Sequence, residues 1–376
     1  MTPSHRFAGV DLLRFFAAFL VMSFHLALWS WAAKGGTTAS IIRGAVSFPE
    51  LEGAASWGWV GVPIFFVISG FVIAFSAADA TPLAFLRRRF LRLFPAAVLC
   101  ATITAAVLVG EGISSLGPVA GRYLNSLIFN PLGPWVDGAY WTLGIEIDFY
   151  GLVFLLLVIG RREWMPGVLA VIGIATSAVA IAKTMVPALN LTLAFTDSRA
   201  GELLLLKHGM EFSLGVMLWM GWARGGTSTR TAVALICAAG AVVQISRAAS
   251  SDLVAAIAVT VWLLCMVLLF FAILQDDVVS RIAGRAAPAI AMIGLSTYPL
   301  YLLHDVVGAA VLRELALAGV NRFLALGMAM LLMIALALLV TRFPERALRQ
   351  LLTLAPARLF PRATNRANDV PVAPSS

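Results

Sequence analysis

The chain has 376 residues, of which 61% are hydrophobic and only 12% charged, and it carries a net charge of +8. Together with a mean hydropathy of +0.93, these values exclude a soluble globular domain and describe a polytopic membrane protein. The positive charge does not point to nucleic acid: the basic residues fall in short clusters between apolar spans rather than along one face, the pattern that membrane topology imposes.

Taken in order, apolar windows of roughly 17 to 25 residues predict an all-α protein of about ten transmembrane helices. They lie near residues 9–31, 57–77, 93–111, 140–160, 167–185, 204–222, 231–248, 253–274, 288–312 and 322–342. With the N-terminus in the cytoplasm, 17 of the 27 basic residues fall on the cytoplasmic side and 9 on the other, with Arg14 left inside the membrane. That asymmetry predicts ten spans with both termini cytoplasmic, since an odd count scatters the basic loops over both faces. The first apolar stretch has no small-residue cleavage site soon after it, so it reads as a retained helix rather than a signal peptide. Cys100, Cys237 and Cys265 all sit in apolar segments at spacings that suit neither a disulfide framework nor a metal site. Residues 1–350 read as one membrane domain, and 351–376 as a cytoplasmic tail too rich in Pro, Ala and Asn to fold. Two long outer loops, 32–56 and 112–139, are rich in Gly, Ser, Pro and Trp and are placed to cover an outward-facing cavity.

The first span, GVDLLRFFAAFLVMSFHLALWSW, carries the ionisable residues Asp11, Arg14 and His25. Arg14 and His25 are eleven residues apart, which puts them on one helical face about 16 Å apart in depth. A charge inside a membrane helix costs roughly 2.5 to 3.5 kcal/mol by insertion scales, so it normally faces a cavity or a partner. Asp11 and Arg14 also suit an interfacial pair with Arg14 snorkelling. His25 is too deep to snorkel, and its ordinary pKa near neutrality suits proton transfer. The second span holds GWVGVPIFFVISGF, in which Gly58, Gly61, Ser69 and Gly70 permit close helix approach or leave room for a bound chain. It is followed by FLRRRFLRLFP, where Arg88, Arg89 and Arg92 form a cluster able to fork onto phosphate oxygens, or to anchor the chain at an anionic surface.

The fourth span opens with YWTLGIEIDFYGL, placing Glu146 and Tyr150 four residues apart on one face. An intramembrane carboxylate is a functional candidate, with an ion pair to Arg14 as its structural alternative. His208 and Glu211 begin the sixth span and suit either an acceptor site or a solvated interface. The ninth holds IGLSTYPLYLLHDV, in which Ser296, Tyr298, Tyr301 and His304 follow helical spacings across Pro299, with His304 near mid-span.

In this order and at these spacings, Arg14 with His25, FFVISGF, RRFLRLFP, WTLGIEIDFY and STYPLYLLH resemble the acyltransferase family 3 membrane proteins over nearly the whole chain. The resemblance implies an integral-membrane O-acyltransferase of the bacterial cytoplasmic membrane. It would move a short acyl group, acetyl in the expected case, from acyl-CoA to a hydroxyl of an extracytoplasmic carbohydrate or related acceptor. Carried over by position, His25 acts on the acceptor hydroxyl or the acyl thioester, while Arg89 and Arg92 contact the coenzyme A phosphates. One departure lies at the end of the last span, TRFPERALR, where the proline precedes Glu345 rather than following an acid or arginine.

The expected roles follow. His25 is the general base, a role worth about 10² to 10⁴ in rate, with Arg14, Asp11 or Glu146 orienting or balancing it. Arg88, Arg89, Arg92 and Ser69 line the donor site, Ser69 also being a possible nucleophile with no base assigned beside it. Trp141, Tyr150, Tyr301 and His304 are expected to meet substrate. Acyl-CoA is a substrate rather than a resident cofactor, and no metal is expected. The alternative is a proton-coupled transporter in which Arg14, Glu146 and His304 form a relay, although no internal repeat supports it.

Overall fold

The computed structural model describes residues 6–33 and 35–354, and every regular element among them is helical. The main helices are α1 (Ala8–Phe24), α2 (Gly61–Ala77), α3 (Pro82–Gly110), α4 (Leu116–Leu127), α5 (Trp141–Val158), α6 (Met165–Met185) and α7 (Gly209–Arg224). They continue as α8 (Ser228–Ala248), α9 (Asp252–Leu274), α10 (Asp276–Ala283), α11 (Ala287–Leu303), α12 (Val306–Leu317), α13 (Arg322–Arg342) and α14 (Pro344–Leu354). Of the tail expected over 351–376, residues 351–354 form the last turn of α14 and the remainder lies outside the described residues.

Nine segments among the described residues are long and apolar enough to cross a membrane. The tenth expected span is α7, whose 16 residues reach only about 24 Å, short of a hydrocarbon core of roughly 30 Å. It tolerates the mismatch because it faces protein rather than lipid: Met210, Phe212, Val216 and Trp219 are all buried. Its contact with α2 depends on two glycines. A Cβ on Gly70 would strike the Phe212 carbonyl, and one on Gly215 would strike the Val67 carbonyl, so the backbones meet at distances only small residues allow.

Two apolar cores meet along α1. Val10, Leu13, Ala17 and Leu20 form one stripe, buried in a core shared with α2, α5, α6, α7, α8 and α9. Ala18, Val21, Met22 and Leu26 form the opposite stripe, buried with α3, α11, α12 and α13. Both follow helical spacing, so α1 is apolar on two faces, as a helix buried on both sides must be. Asp11 and Arg14 continue the second stripe by one heptad toward the N-terminus, and at that level the second core gives way to a cavity.

Two elements differ from the sequence expectation. The third span was expected from residue 93, yet α3 begins at Pro82, where the Thr81 hydroxyl caps the helix by accepting from Ala84 N at 3.3 Å. The arginines dilute the hydropathy of those first turns without weakening their helix propensity, so Arg88, Arg89 and Arg92 ride on one continuous helix with the span, where the three-residue spacing of Arg89 and Arg92 puts them on one face. The ninth span is interrupted: α11 stops at Leu303 and α12 starts at Val306. His304, expected near mid-span, therefore stands at a break. The break is held by Asp137, whose carboxylate accepts from Ala139 N at 2.8 Å and from Val306 N at 3.1 Å. One side chain thus caps two helix starts, replacing intrahelical partners those amides lack. Burial and the nearby Asp305 push Asp137 well above the usual carboxylate range.

Candidate active site

A cavity of about 840 Å³ lies between α1, α2, α3, α5, α11 and α14. The helix directions sort its lining. At one end the termini of α2, α3 and α14 bring Asp79, Arg88 and Arg349 beside Arg6; at the other stand Phe65, Thr142 and Tyr301. Six arginines, Arg6, Arg14, Arg88, Arg89, Arg92 and Arg349, line the space against three carboxylates, Asp11, Asp79 and Glu146.

The arginines are unequally satisfied. Arg6 pairs with Asp11 at 3.2 Å, and Arg88 donates to the Ser76 carbonyl at 2.9 Å. Arg349 forms an ion pair with the buried Glu345 through one Nη and keeps a buried Nε–H without a partner. Arg89 and Arg92, three residues apart on α3, each retain a buried N–H with no partner, at Nε and Nη1 respectively. Arg89 instead lies over the rings of Phe85 and Tyr150, at 5.7 and 5.8 Å. Buried donors are rarely left unpaired, and two adjacent guanidinium groups left so beside a cavity suit an anionic oxygen ligand, which such groups bind in a fork.

Deeper in the wall, the Ser69 hydroxyl donates to Glu146 Oε1 at 2.5 Å. Tyr150, one turn along α5, lies beside the same carboxylate. Glu146, considered as an ion-pair partner for Arg14 or a support for His25, accepts from Ser69, with Tyr150 beside it. Asp11, the other candidate support, pairs with Arg6. The Gly294 backbone leaves the space that the Asp11 carboxylate occupies; a Cβ there would overlap it.

His25 and His304 stand beyond the far end of the cavity, and neither is among its lining residues. Ala18, Val21 and Met22 separate His25 from Arg14 along α1, so the shared face is real but only its lower part is open. At His25 the helix widens into a π-turn, His25–Trp29, a distortion often found at functional sites. His25 Nδ1 lies 2.5 Å from His304 Nε2, with the rings stacked at 4.7 Å. His304 Nδ1 contacts the Tyr301 carbonyl at 2.9 Å. The Tyr301 hydroxyl faces the cavity and accepts from Thr142 at 2.9 Å. Tyr301 therefore links the two regions, its ring closing the cavity and its carbonyl holding His304.

The other candidates fall elsewhere. Trp141 lies against His208, ring centroids 6.1 Å apart, and its carbonyl accepts from Arg199 at 2.8 Å. His208 and Glu211 are 3.7 Å apart and share Gln244; they are packed among α6, α7 and α8 and do not line the cavity. Arg349 was visible only as one of the basic residues of the last segment. Ser69 beside Glu146, and His25 beside His304, are partnerships across 77 and 279 residues that no local spacing announces.

These features define a polytopic membrane protein with a basic cavity at one end and a histidine pair behind its closed end. Residues 7–342 match the family model described as an acyltransferase domain, and the chain belongs to that family, acyltransferase family 3. It is similar to nodulation protein 10 of Rhizobium leguminosarum bv. viciae, 33% identical over 183 residues, covering 43% of this chain and 47% of that protein. It is also similar to a protein of Komagataeibacter xylinus named as a membrane-bound transacylase, BcsY, with 26% identity over 332 residues, 80% of this chain and 73% of the relative. The chain thus spans about half of the first relative's length. No solved structure matches it.

Proposed function

We propose that this membrane acyltransferase transfers a short acyl group, acetyl in the first instance, from cytoplasmic acyl-CoA to a hydroxyl of an extracytoplasmic carbohydrate or a related acceptor. The setting would be the bacterial cytoplasmic membrane, with both termini inside, so that the arginine end of the cavity faces the donor pool. The observation that carries this reading is the pair of unpartnered buried N–H groups on Arg89 and Arg92 beside a cavity lined by six arginines. A polyphosphate donor supplies the oxygens they lack. Arg6, Arg88 and Arg349 add to the field at the same end, and Ser69, Glu146 and Tyr150 line the path inward.

His25 serves as general base. It removes the proton of the acceptor hydroxyl, the oxygen attacks the thioester carbonyl, the carbon–sulfur bond breaks, and the proton passes to the leaving thiolate. Because the Tyr301–Thr142 hydrogen bond closes the cavity short of His25, transfer requires the Tyr301 ring to turn aside. The test is a vesicle assay with labelled acetyl-CoA outside inverted membranes, following label into the envelope carbohydrate fraction. Wild type should incorporate label and His25→Ala should not. Incorporation that persists in His25→Ala, or label that never appears with acetyl-CoA, succinyl-CoA or a panel of hydroxyl acceptors, defeats the proposal.

A further inference from the structure

We infer that His304 is a positioning residue that holds His25 in the tautomer whose Nε2 lone pair is free. The inference rests on the reading of His25 as the base. The argument begins at the Tyr301 carbonyl, which can only accept a hydrogen bond. Its contact with His304 Nδ1 at 2.9 Å therefore places a proton on that nitrogen. In a neutral imidazole the other nitrogen then carries the lone pair. His304 Nε2 is thus an acceptor, and its 2.5 Å contact with His25 Nδ1 is made by a proton on His25. By the same rule the lone pair of His25 resides on Nε2. The chain of two hydrogen bonds, running from a backbone carbonyl through one imidazole to the next, selects one of the two tautomers and fixes the plane of the ring.

The neutral form of His304 follows from its surroundings. It is 1% exposed, and the groups facing it are the His25 and Tyr301 rings, 4.7 and 5.5 Å away, together with main-chain carbonyls. The hydrogen bonds of the two rings go to each other and to the Tyr301 carbonyl rather than to a carboxylate, and burial disfavours an imidazolium. In the familiar triads the orienting group is a carboxylate; here it is a neutral ring. The division of labour is the same: the orienting group touches neither substrate nor the reacting atoms, yet sets which nitrogen is the base. When His25 takes the acceptor proton at Nε2, its Nδ1–H still donates to His304, and the proton leaves from Nε2 to the thiolate. No proton needs to cross the pair.

Three substitutions test this in purified protein reconstituted in lipid, with donor KM and kcat measured separately. His304→Gln places an amide oxygen at the reach of Nε2 and can accept from His25, so kcat should stay within about ten-fold of wild type. His304→Leu removes the acceptor, and kcat should fall by about 10² to 10⁴, the range lost when an orienting group no longer fixes the tautomer. His304→Asn can still donate to the Tyr301 carbonyl but falls short of His25; it should behave like Leu, and it reports on the geometry if the Leu protein is unstable. Donor KM should remain within about two-fold throughout, because the arginine end is untouched. Equal loss in Gln and Leu, or wild-type kcat in both Leu and Asn, overturns the inference. Activity retained by His25→Ala overturns the reading beneath it, whereas an inactive His25→Ala beside fully active Leu and Asn variants overturns this inference alone.

Discussion

The arginine end of the cavity and the histidine pair behind its opposite end differ in their chemistry. The arginine end is crowded with formal charge: six guanidinium groups against three carboxylates, with three buried N–H groups, on Arg89, Arg92 and Arg349, left unpaired. At the histidine pair three of the four ring nitrogens are taken up, by each other and by a main-chain carbonyl. A site that admits a polyanion keeps unspent charge; a site that moves one proton keeps one nitrogen free and satisfies the rest. The comparison predicts that mutations at the two ends separate in kind, turnover at one and donor affinity at the other.

The largest effect is expected at His25. His25→Ala should lower kcat by about 10² to 10⁴ while leaving donor binding, measured by titration with a non-hydrolysable acyl-CoA analogue, within two-fold. Loss of donor binding to the same extent as loss of turnover would merge the two ends into one site. Next come the arginines. Arg89→Ala and Arg92→Ala each remove charge-assisted hydrogen bonds worth roughly 1.5 to 3 kcal/mol, so donor KM should rise by about 10- to 100-fold, more at low salt than at high. An unchanged donor KM in both would remove the phosphate role from this pair. A smaller effect is expected in the wall between. Glu146→Gln keeps a hydrogen-bond partner for Ser69 but discharges the one carboxylate deep in the cavity, and should change kcat/KM by about ten-fold or less, since a retained neutral hydrogen bond recovers most of the contact. Inactivation of Glu146→Gln and Ser69→Ala alike would instead point to Ser69 as a nucleophile with Glu146 as its base.

Much of this arrangement was legible in the chain. Arg14 and His25 stood out because a membrane helix does not carry ionisable residues without cause, and Arg89 with Arg92, or Glu146 with Tyr150, are neighbours by helical spacing alone. What was hidden is hidden for a physical reason. Ser69 meets Glu146, His25 meets His304, and Asp137 caps Val306 only because helices distant in sequence pack together, and hydropathy carries no information about which polar groups face each other. That α3 begins at Pro82, ahead of the apolar window, was not legible because arginines lower the hydropathy of its first turns while remaining good helix formers. α7 was visible as a span but not as a short one, since only its burial among neighbouring helices shows that lipid does not set its length. The break at His304 was masked because residues 288–312 read as one span on mean hydropathy, and it depends on a carboxylate in a different loop.

The smallest effect sharpens the comparison most, because it acts at the residue joining the two ends. Tyr301 presents its hydroxyl to Thr142 across the cavity and its carbonyl to His304. Thr142→Val keeps the volume nearly constant and removes only the hydroxyl that donates to Tyr301, a loss of about 0.5 to 1.5 kcal/mol for an ordinary hydrogen bond. If that bond holds the ring across the path to His25, weakening it favours the open arrangement, and kcat should rise two- to ten-fold with donor KM unchanged. If the bond instead orders Tyr301 so that its carbonyl can hold His304, the same substitution should lower kcat by a similar factor, and His304→Gln in the Thr142→Val background should lose no more than either change alone. Parallel kcat measurements on the two single variants and the double variant decide between them. The sign of one modest change therefore tells whether Tyr301 acts toward the cavity or toward the histidines.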